Sequence, residues 1–429
     1  MKKVLIITYY WPPAGGGGVQ RWLKFAKYLP EFGWQPVIYT PENPDYPIYD
    51  ETLLQEVSAS VEVVKCPIWE PYRALRKISK TDNTISAGFI RTEKKVKFST
   101  RVISWIRGNL IIPDARRFWI SPSTTFLVNY LKDHPVDAII STGPPHSMHL
   151  IAKKVAKKTG IPWLADFRDP WVNMDNADKF QMSSFTRNIH ARLERSVVKS
   201  AAQVVTVGWH WSENYAKIRG KKVPVITNGF DHTDFENLNY PKESRFILGH
   251  YGTFGDDRNP QALWDAIEEL RKEDPAFARD FYLELVGPTD VEVLDSVKRM
   301  PFADRLLYEA YVKHDEAIKR MKQAAVLLVI INQNSNQEGR ITGKIFEYLA
   351  CDNPILGVGS PTSDCARVIH EAQAGEMISF DDKKGLKAFL QKAFEERNAS
   401  NKRNSDVMIY SRKHLSRLMA AELDAITSL

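Results

Sequence analysis

The sequence predicts an α/β protein of two domains, each built around a parallel β-sheet. The chain has 429 residues, which is long for one hydrophobic core and natural for two domains of about 200 residues each. Short runs of apolar and β-branched residues, such as residues 4–8 and 326–331, alternate with segments of helical periodicity. Runs of this kind are too short for a helix of normal length and are typical of strands buried on both faces of a parallel sheet.

The composition is that of an ordinary folded globular protein, with 43% hydrophobic and 26% charged residues. The three cysteines, Cys66, Cys351 and Cys365, show no close pairing, which indicates neither a disulfide framework nor a zinc site and favours a reducing compartment. The first apolar run leads directly into Pro12 and Pro13, so it is better explained as a strand than as a signal peptide. No run approaches the roughly 18 consecutive apolar residues of a membrane span, and a cytoplasmic protein is predicted.

The formal net charge of +7 arises from one segment. Between Pro71 and Arg117 the sequence contains twelve Lys or Arg residues and three acidic residues. The surplus of nine positive charges in this segment exceeds the net charge of the whole chain. Such a surplus indicates an anionic partner: a membrane surface, a phosphate-bearing substrate or nucleic acid. Nucleic acid is disfavoured, because the segment contains no recognisable reader motif and its aromatic residues do not recur at a stacking spacing.

Residues 94–110, within this basic segment, mix apolar side chains such as Val102 and Trp105 with lysines and arginines. That mixture is typical of a helix that lies on an anionic bilayer. A helix packed on its own domain with a solvated basic face has the same sequence pattern. The sequence therefore leaves open whether the protein also docks on the inner face of the cell membrane.

The first strand and the first predicted helix, at residues 19–29, enclose a glycine-rich loop. Its four successive glycines, at 15–18, leave the backbone bare, so amide groups can approach a phosphate or a sugar without a Cβ in the way. Because the dinucleotide-binding fingerprint is missing, a plain flexible loop is the alternative.

Two later strands, predicted at residues 136–141 and 162–165, each lead into a polar loop. In an open α/β sheet ligands bind outside the carboxyl ends of the strands, so both loops are expected to open on the same cleft. A carboxylate or a histidine at such a position could orient or deprotonate a hydroxyl, and an arginine could balance a negatively charged group. The candidates for these roles are His146, Asp166, Arg168 and Asp169. The alternative is that Arg168 and the aspartates form a salt-bridged corner, and His149 is expected to pack along the helix at 148–158.

The predicted domain boundaries are 1–228 for an N-terminal domain with a basic insertion at 71–117, 229–405 for a C-terminal domain, and 406–429 for a final segment. A last strand of the first domain is predicted at residues 223–227. From residue 405 to the end, the apolar periodicity predicts one long amphipathic helix.

The stretch 324–359 is the most informative part of the chain. After a buried strand and a polar loop, Thr342 is predicted to cap a helix that starts at Gly343. The first turn of a helix carries unpartnered N–H groups and a partial positive charge, so it stabilises an anion, and Lys344 adds a full charge. Glu347, one turn further along, is an acceptor for a vicinal diol such as ribose. These residues predict a site for a nucleoside diphosphate; the alternative is that Thr342 only caps while Lys344 and Glu347 form a surface pair.

The loop at 252–260 contains an arginine that could bind phosphate. Arg258 lies there just before a helix, and its planar guanidinium can bind two phosphate oxygens at once. A surface arginine at a helix start is the alternative.

Three motifs resemble those of a known enzyme family. KIFEYLACDNPILGVG at 344–359 resembles the donor-site signature of glycosyltransferases of the GT-B type, specifically of retaining family 4. TYYWPPAGGGGVQR at 8–21 resembles the glycine loop of the same enzymes. STGPPHSMHLIAKKVAKKTGIPWLADFRDPW at 141–171 resembles a subgroup of family 4-like proteins.

The resemblance implies two Rossmann-like domains that face each other across a cleft, with residues 228–231 as the hinge and the final helix crossing back to the first domain. It implies transfer of a hexose from a nucleoside diphosphate sugar to a glycan or lipid-linked acceptor, with retention of anomeric configuration, in bacterial surface polysaccharide synthesis. By the same match, Glu347 holds the ribose of the donor, and Gly16 and Gly17 line the cleft opposite its diphosphate.

The sequence departs from the family pattern at two places. A glutamate that usually contacts the sugar, eight residues before Glu347, is replaced by Gly339, and the nearest acidic residue is Glu338. The arginine and lysine that hold the donor phosphates in relatives are replaced by Thr253 and Asn259. That second departure leaves the positive charge to the arginine at 258.

No metal or cofactor is predicted, because no Asp-X-Asp stands at the end of a strand and the helix start, Lys344 and Arg258 supply positive charge. The expected donor-binding residues are Gly16, Gly17, Arg258, Thr342, Gly343, Lys344 and Glu347. The expected catalytic residues are Arg168, Asp169 and His146, with Asp166 and His146 on the acceptor side. Two alternatives stay open: a nucleotide-sugar epimerase of the same fold, and a non-catalytic nucleotide-sugar-binding protein.

Overall fold

A computed structural model describes residues 1–70, 105–106, 108–172, 182–236, 238, 240, 243–333, 336–398 and 405–428. The chain forms two compact units: the first unit comprises Met1–Thr227 and Arg412–Leu429, and the second unit comprises Asn228–Ser411. Most of the predicted basic helix at 94–110 lies outside the described residues.

The first unit contains a six-stranded parallel sheet. Its strands are β1 (Lys2–Ile7), β2 (Trp34–Pro41), β3 (Glu62–Cys66), β4 (Ala138–Gly143), β5 (Trp163–Phe167) and β6 (Gln203–Thr206). Their order in the sheet is β3-β2-β1-β4-β5-β6, so the order reverses between β1 and β4. Both faces of β1 are covered: Leu5 and Ile7 pack in one apolar cluster, and Val4 and Ile6 pack in another.

In the described part of this unit, the helices between or after these strands are α1 (Gly17–Tyr28), α2 (Ile120–Asp133), α3 (Ser147–Thr159), α4 (Ser184–Ser200) and α5 (Trp209–Arg219). The predicted strand at residues 223–227 is wrong. That segment forms only an isolated bridge between Val225 and Thr206. Pro224 has no N–H with which to continue a ladder of hydrogen bonds.

The second unit repeats the same sheet topology. Its parallel strands are β7 (Phe246–Tyr251), β8 (Phe281–Val286), β9 (Leu306–Glu309), β10 (Val326–Ile330), β11 (Ile355–Val358) and β12 (Gly375–Ile378). The order β12-β11-β10-β7-β8-β9 reverses between β7 and β10. In open sheets of this kind, the point of reversal opens a crevice at the carboxyl ends of the strands.

The helices of the second unit are α6 (Gln261–Glu273), α7 (Pro275–Asp280), α8 (Val291–Lys298), α9 (His314–Gln323), α10 (Lys344–Cys351), α11 (Asp364–Glu371) and α12 (Lys383–Glu395). The face of α10 that carries Ile345, Phe346 and Leu349 is buried. These positions are three or four residues apart, as the periodicity predicts.

The final helix, α13 (Arg412–Thr427), returns to the first unit. Leu415 and Met419 pack in the same apolar cluster as Val4 and Ile6 of β1. The prediction of one helix from residue 405 onwards is wrong at its start, because a short 3-10 turn precedes α13 and Ser411 has an extended backbone.

Candidate functional site

Helix α10 begins at the point of strand reversal in the second unit. The hydroxyl of Tyr348, one turn into α10, accepts a hydrogen bond of 3.0 Å from the N–H of Tyr251 at the end of β7. The same hydroxyl donates to the carbonyl oxygen of Leu328 in β10, at 3.4 Å. These two bonds fix the start of α10, and with it Lys344, beside the carboxyl ends of both strands.

Lys344 contacts a histidine that the sequence did not single out. Its Nζ lies 3.0 Å from Nε2 of His250, which is buried near the end of β7. Nδ1 of His250 lies 3.0 Å from the carbonyl oxygen of Leu328. A carbonyl only accepts hydrogen bonds, so Nδ1 carries the proton, and Nε2 accepts from the Lys344 amine.

Burial and charge change the protonation of both side chains. Burial, reinforced by the positive charge of Arg258 and opposed by Glu347, lowers the pKa of Lys344 to about 7. Burial, followed by the charge of Lys344, holds the pKa of His250 well below its usual value. At neutral pH the imidazole is therefore uncharged, while the lysine is close to half protonated, and a bound anion would favour its charged form.

Two glycines leave room for Lys344 beside the strand ends. Gly252 has φ +114°, and a Cβ at this position would lie 3.1 Å from Nζ of Lys344. Gly287, which follows β8, has φ +118°, and its Cβ would lie 2.7 Å from the carbonyl oxygen of Gly252. Both positions need glycine because of their positive φ and because the chain segments approach so closely.

The structure brings Arg258 and Glu347 close to Lys344, as expected for a shared site. Arg258 lies in a short 3-10 turn after β7 with its guanidinium mostly buried, and its Nε donates to Asp257 at 3.0 Å. Its positive charge lowers the pKa of Lys344 and of His250. Glu347 is half-buried in the first turn of α10, and its charge opposes the fall in the pKa of Lys344.

The predicted cap of α10 is wrong. Gly343 occupies the N-cap position with helical φ and ψ of −59° and −35°, and no side chain of the described residues caps the helix. The hydroxyl of Thr342 is buried and has no hydrogen-bond partner within the part of the chain that the structure describes. Gly343 is exposed, and a Cβ there would meet nothing within 4 Å. The first turn of α10 is therefore without a side-chain cap, which favours an anion at its amides.

Glu338, next to the position where Gly339 replaces the glutamate of the family pattern, contacts a neighbouring loop. Gly339 is buried at the end of a 3-10 turn that follows β10. The carboxylate of Glu338 accepts a hydrogen bond of 3.0 Å from the hydroxyl of Thr362, in the loop after β11. Glu338 thus lies among the loops at the carboxyl ends of these strands.

In the first unit, Asp166 lies inside β5 rather than in the following loop, paired with Thr142 of β4. Its carboxylate accepts two hydrogen bonds from Arg21, at 2.9 and 3.1 Å. It also accepts from Trp22 Nε1 at 2.9 Å and from the Thr142 hydroxyl at 3.0 Å. With 0% of its surface exposed, this carboxylate cannot face an acceptor, and Arg21 is a partner that the sequence did not indicate.

Arg168 joins the loops that follow the two central strands of the first unit. Its Nη1 donates to the carbonyl oxygen of Gly18 at 2.7 Å. Its Nη2 donates to the carbonyl oxygen of Pro144. The guanidinium therefore ties the glycine loop after β1 to the loop after β4, whereas the neighbouring Asp169 is exposed.

His146, at the N-cap of α3, and His149, in the first turn of α3, are both buried. His146 stacks on Trp171 with ring centroids 4.6 Å apart and planes at 4°, and neither of its ring nitrogens has a hydrogen-bond partner among the described residues. His149 contacts the hydroxyl of Ser141 through Nδ1 at 2.8 Å. Burial is the main cause that holds the pKa of His146 well below its usual value and lowers that of His149 to about 3. Both are neutral at physiological pH.

The glycine loop makes hydrogen bonds to its neighbours. The N–H of Gly15 donates to the carbonyl oxygen of Ile48 at 2.9 Å. Gly16, with φ +82°, is the N-cap of α1, and no described side chain caps that helix. Gly16 and Gly17 are exposed, so the amides at the start of α1 are accessible to a ligand.

Residues 114–116, which precede α2, contact residues near the same loops, and the sequence did not predict these contacts. The carboxylate of Asp114 accepts from the N–H and the hydroxyl of Ser147, at 2.9 and 2.8 Å, at the start of α3. The guanidinium of Arg116 lies over the ring of Tyr9 at 4.2 Å and contacts the carboxylate of Glu70 at 3.2 Å.

Among the described residues, no group of three or more His, Cys, Asp or Glu side chains could hold a metal ion. Metal independence stays a prediction.

Comparisons with known proteins identify the family. Residues 16–229 match the family described as Glycosyl transferase 4-like domain. No curated protein is a significant match to the sequence. Among solved structures, a glycosyltransferase from Rickettsia africae is 13% identical with a TM-score of 0.55, covering 100% of this chain and 96% of its own.

Two further structures have the same fold. The lipopolysaccharide outer core galactosyltransferase WaaB is 12% identical with a TM-score of 0.58, covering 99% of this chain and 100% of its own. A UDP-forming α,α-trehalose-phosphate synthase from Burkholderia xenovorans is 8% identical with a TM-score of 0.59 and the same coverage of 99% and 100%. Residues 16–229 therefore belong to the glycosyl transferase 4-like family, which identifies the protein as a glycosyltransferase, and the three solved structures show that the whole chain has the GT-B fold.

Proposed function

We propose that this glycosyltransferase moves a hexose from a nucleoside diphosphate sugar to a glycan or lipid-linked acceptor in bacterial surface polysaccharide synthesis, with retention of anomeric configuration and without a metal ion. The observation that carries the proposal is the start of α10, where Lys344, Arg258 and the amino end of the helix put positive charge at the carboxyl ends of β7 and β10. A leaving diphosphate gains negative charge as the sugar departs, and fixed positive groups stabilise that charge.

Binding of the donor's ribose is assigned to Glu347. Its carboxylate lies one helical turn from Lys344 and accepts hydrogen bonds only, which suits the two neighbouring hydroxyls of a ribose. One of the structural neighbours is named as UDP-forming. Uridine diphosphate is therefore the first nucleotide to test.

In the first unit, Gly16, Gly17 and Asp169 are assigned to ligand contact. The two glycines present exposed amides at an uncapped helix start, and Asp169 is an exposed carboxylate beside Arg168. Arg168 acts here by holding the two loops together, and the buried carboxylate of Asp166 fixes the strand beneath them.

An anionic membrane surface, on the cytoplasmic side, is the proposed location of the acceptor. Trp69 is 59% exposed and Phe118 is 44% exposed, and their rings meet edge to face at 4.8 Å. Leu110 is 58% exposed, and its carbonyl oxygen accepts from Arg117 at 2.9 Å. Trp69 and Phe118 flank the basic segment at 71–117 and Leu110 lies within it, and aromatic side chains beside basic residues favour the membrane interface. None of the described helices is long and apolar enough to cross a membrane.

Calorimetry with uridine diphosphate and inorganic pyrophosphate tests the donor site. Lys344→Ala is expected to weaken both ligands, whereas Glu347→Ala is expected to weaken uridine diphosphate by about 10- to 100-fold, as for a lost pair of hydrogen bonds to a charged group, and to leave pyrophosphate unchanged. If both variants bind uridine diphosphate as tightly as the parent, the placement of the donor at α10 is wrong.

Product analysis tests the reaction itself. With a UDP-hexose and a lipid-linked acceptor, the anomeric carbon of the product is expected to keep the configuration of the donor by NMR. Sugar or sugar nucleotide altered in the absence of any acceptor would instead indicate an epimerase, and binding without turnover would indicate a binding protein.

A further inference from the structure

His250 has no place in the proposed donor site, yet it is buried against the amine on which that site depends. We propose that His250 is a positioning residue, which holds the Lys344 amine over the start of α10 and favours its protonated form for binding a diphosphate. The inference rests on the proposed function, because it concerns the same anion site.

The hydrogen bonds of His250 fix one tautomer. Its Nδ1 donates to the carbonyl oxygen of Leu328 at 3.0 Å, so the lone pair is on Nε2. That nitrogen lies 3.0 Å from Nζ of Lys344 and 3.5 Å from the carbonyl oxygen of Thr253. Since two acceptors cannot bond to each other, the longer contact is not a hydrogen bond in this tautomer, and the Lys344 amine is the donor.

The imidazole keeps this role over the whole physiological range. Its pKa lies well below the usual value because of burial, with the charges of Lys344 and Arg258 adding to the effect. A protonated His250 would repel the lysine, whereas the neutral ring offers a permanent lone pair. The Leu328 carbonyl oxygen that orients the ring also accepts a hydrogen bond from the Tyr348 hydroxyl of α10. The imidazole and the helix are therefore both held by the same carbonyl group.

Lys344 needs such a partner because its surroundings otherwise disfavour the charged form. Burial and the facing Arg258 lower its pKa, while Glu347 on its own helix raises it. Arg258 is itself paired with Asp257. A hydrogen bond to a neutral nitrogen favours the ammonium over the amine. Without His250, Lys344 would lose its proton at a lower pH and its long chain would be less fixed.

The shape of the strand ends supports the same arrangement. The Cβ that Gly252 lacks would lie 3.1 Å from Nζ and 3.3 Å from Cε of Lys344. The side chain therefore lies along bare backbone to reach the ring. Gly252 donates its N–H to the carbonyl oxygen of Val286 at 2.7 Å, which fixes that backbone.

The test measures the affinity for inorganic pyrophosphate by calorimetry between pH 6 and 9 in the full-length protein. His250→Phe keeps a ring of similar shape but removes the lone pair, and it is expected to weaken binding about tenfold at pH 7.5. The pH at which affinity declines is expected to move downward in this variant. His250→Asn, whose amide can donate to Leu328 and accept from Lys344, is expected to recover most of the affinity.

A double-mutant cycle separates this role from a structural one. If His250 acts through Lys344, His250→Phe causes no further loss in a Lys344→Ala background. Parent affinity and an unchanged pH profile in a folded His250→Phe variant would overturn the proposal. If Lys344→Ala itself leaves binding of pyrophosphate and uridine diphosphate intact, it is the proposed donor site that fails.

A direct titration covers the case in which His250→Phe does not fold. The Nζ of Lys344 is followed by NMR in the parent protein, with Lys344→Ala to assign the signal. Its midpoint is expected near 7 and is expected to rise when pyrophosphate binds. In His250→Asn the midpoint is expected to stay close to that of the parent. In His250→Ala, which removes the acceptor nitrogen, the midpoint is expected to fall below that of the parent, and an unchanged midpoint in this variant would contradict the proposal.

Discussion

The guanidinium of Arg168 donates to the carbonyl oxygen of Gly18 at 2.7 Å, joining residues 150 positions apart in the sequence. Its other terminal nitrogen donates to Pro144. One side chain thus links the loops that follow β1 and β4, on either side of the strand reversal in the first unit. The position of the exposed glycine amides at the start of α1 depends on this link.

Arg168→Gln is expected to lower kcat/KM for the sugar donor about 10- to 100-fold, because two hydrogen bonds from a charged group are lost and the glycine loop is released. The fold should persist, since Arg168 is only half-buried. Steady-state kinetics and the melting temperature check this. Arg192→Ala, an exposed arginine of α4 in the same unit, is the control, and an equal loss in both variants would contradict the prediction.

Asp166→Ala is expected to destabilise the protein by about 3–5 kcal/mol, because it leaves the charge of Arg21 buried without its partner. Arg21 is 1% exposed and Asp166 is 0% exposed. The double variant Arg21→Met with Asp166→Leu is expected to lose much less stability than the sum of the single variants. Thermal unfolding measures each melting temperature. Additive losses would mean that the two residues do not act as a pair.

His146→Phe separates a packing role from a catalytic role. Neither ring nitrogen of His146 has a partner among the described residues, and the ring stacks on Trp171, so phenylalanine is expected to change stability at pH 7 by less than about 1.5 kcal/mol. Its activity should stay near that of the parent. A loss of more than about 100-fold in kcat with an unchanged melting temperature would instead establish His146 as catalytic.

The buried histidines His146 and His149 predict that the free energy of unfolding falls in acid. Their folded pKa values lie below the unfolded value of about 6.5, so the unfolded chain binds more protons as the pH falls below that value. For His149, whose pKa is about 3, the loss continues from about pH 6.5 down to about 3, at up to about 1.4 kcal/mol per pH unit. Denaturant unfolding at pH 7 and pH 5 checks this. The decline should be shallower in His146→Phe; an identical decline would contradict the prediction.

The apolar groups beside the basic segment predict binding to anionic vesicles. Sedimentation with vesicles containing phosphatidylserine is expected to carry down the parent protein, less so at high salt because ionic strength screens the attraction. Trp69→Ser with Phe118→Ser is expected to reduce binding several-fold without lowering the melting temperature, since both side chains are exposed. Phe185→Ser, an apolar residue of the first unit that is 75% exposed, is the control. Equal binding to neutral vesicles would argue against an electrostatic contact.

Local periodicity determined much of what the sequence revealed about the second unit. The spacing of Ile345, Phe346 and Leu349 predicts the buried face of α10, and the three-residue interval between Lys344 and Glu347 places them one turn apart whatever surrounds the helix. The same holds for β10 and β1, whose apolar runs are long enough for a buried strand and too short for a helix. Within one helix or strand, the spacing along the sequence therefore determines the relative positions of the residues of a motif.

Contacts between distant segments were decided only by the tertiary structure. Lys344 and His250 are 94 positions apart, and Arg21 and Asp166 are 145 apart. No periodicity connects such pairs, because the order of the strands in the sheet determines which strand ends meet. Two local predictions also failed for this reason: Asp166 became a buried partner of Arg21, and Thr342 turned into the protein instead of capping α10. The sequence by itself determined the buried strands β1 and β10, the buried face of α10 and the charges that this helix carries; the tertiary structure decided which charged groups are buried and what each one contacts.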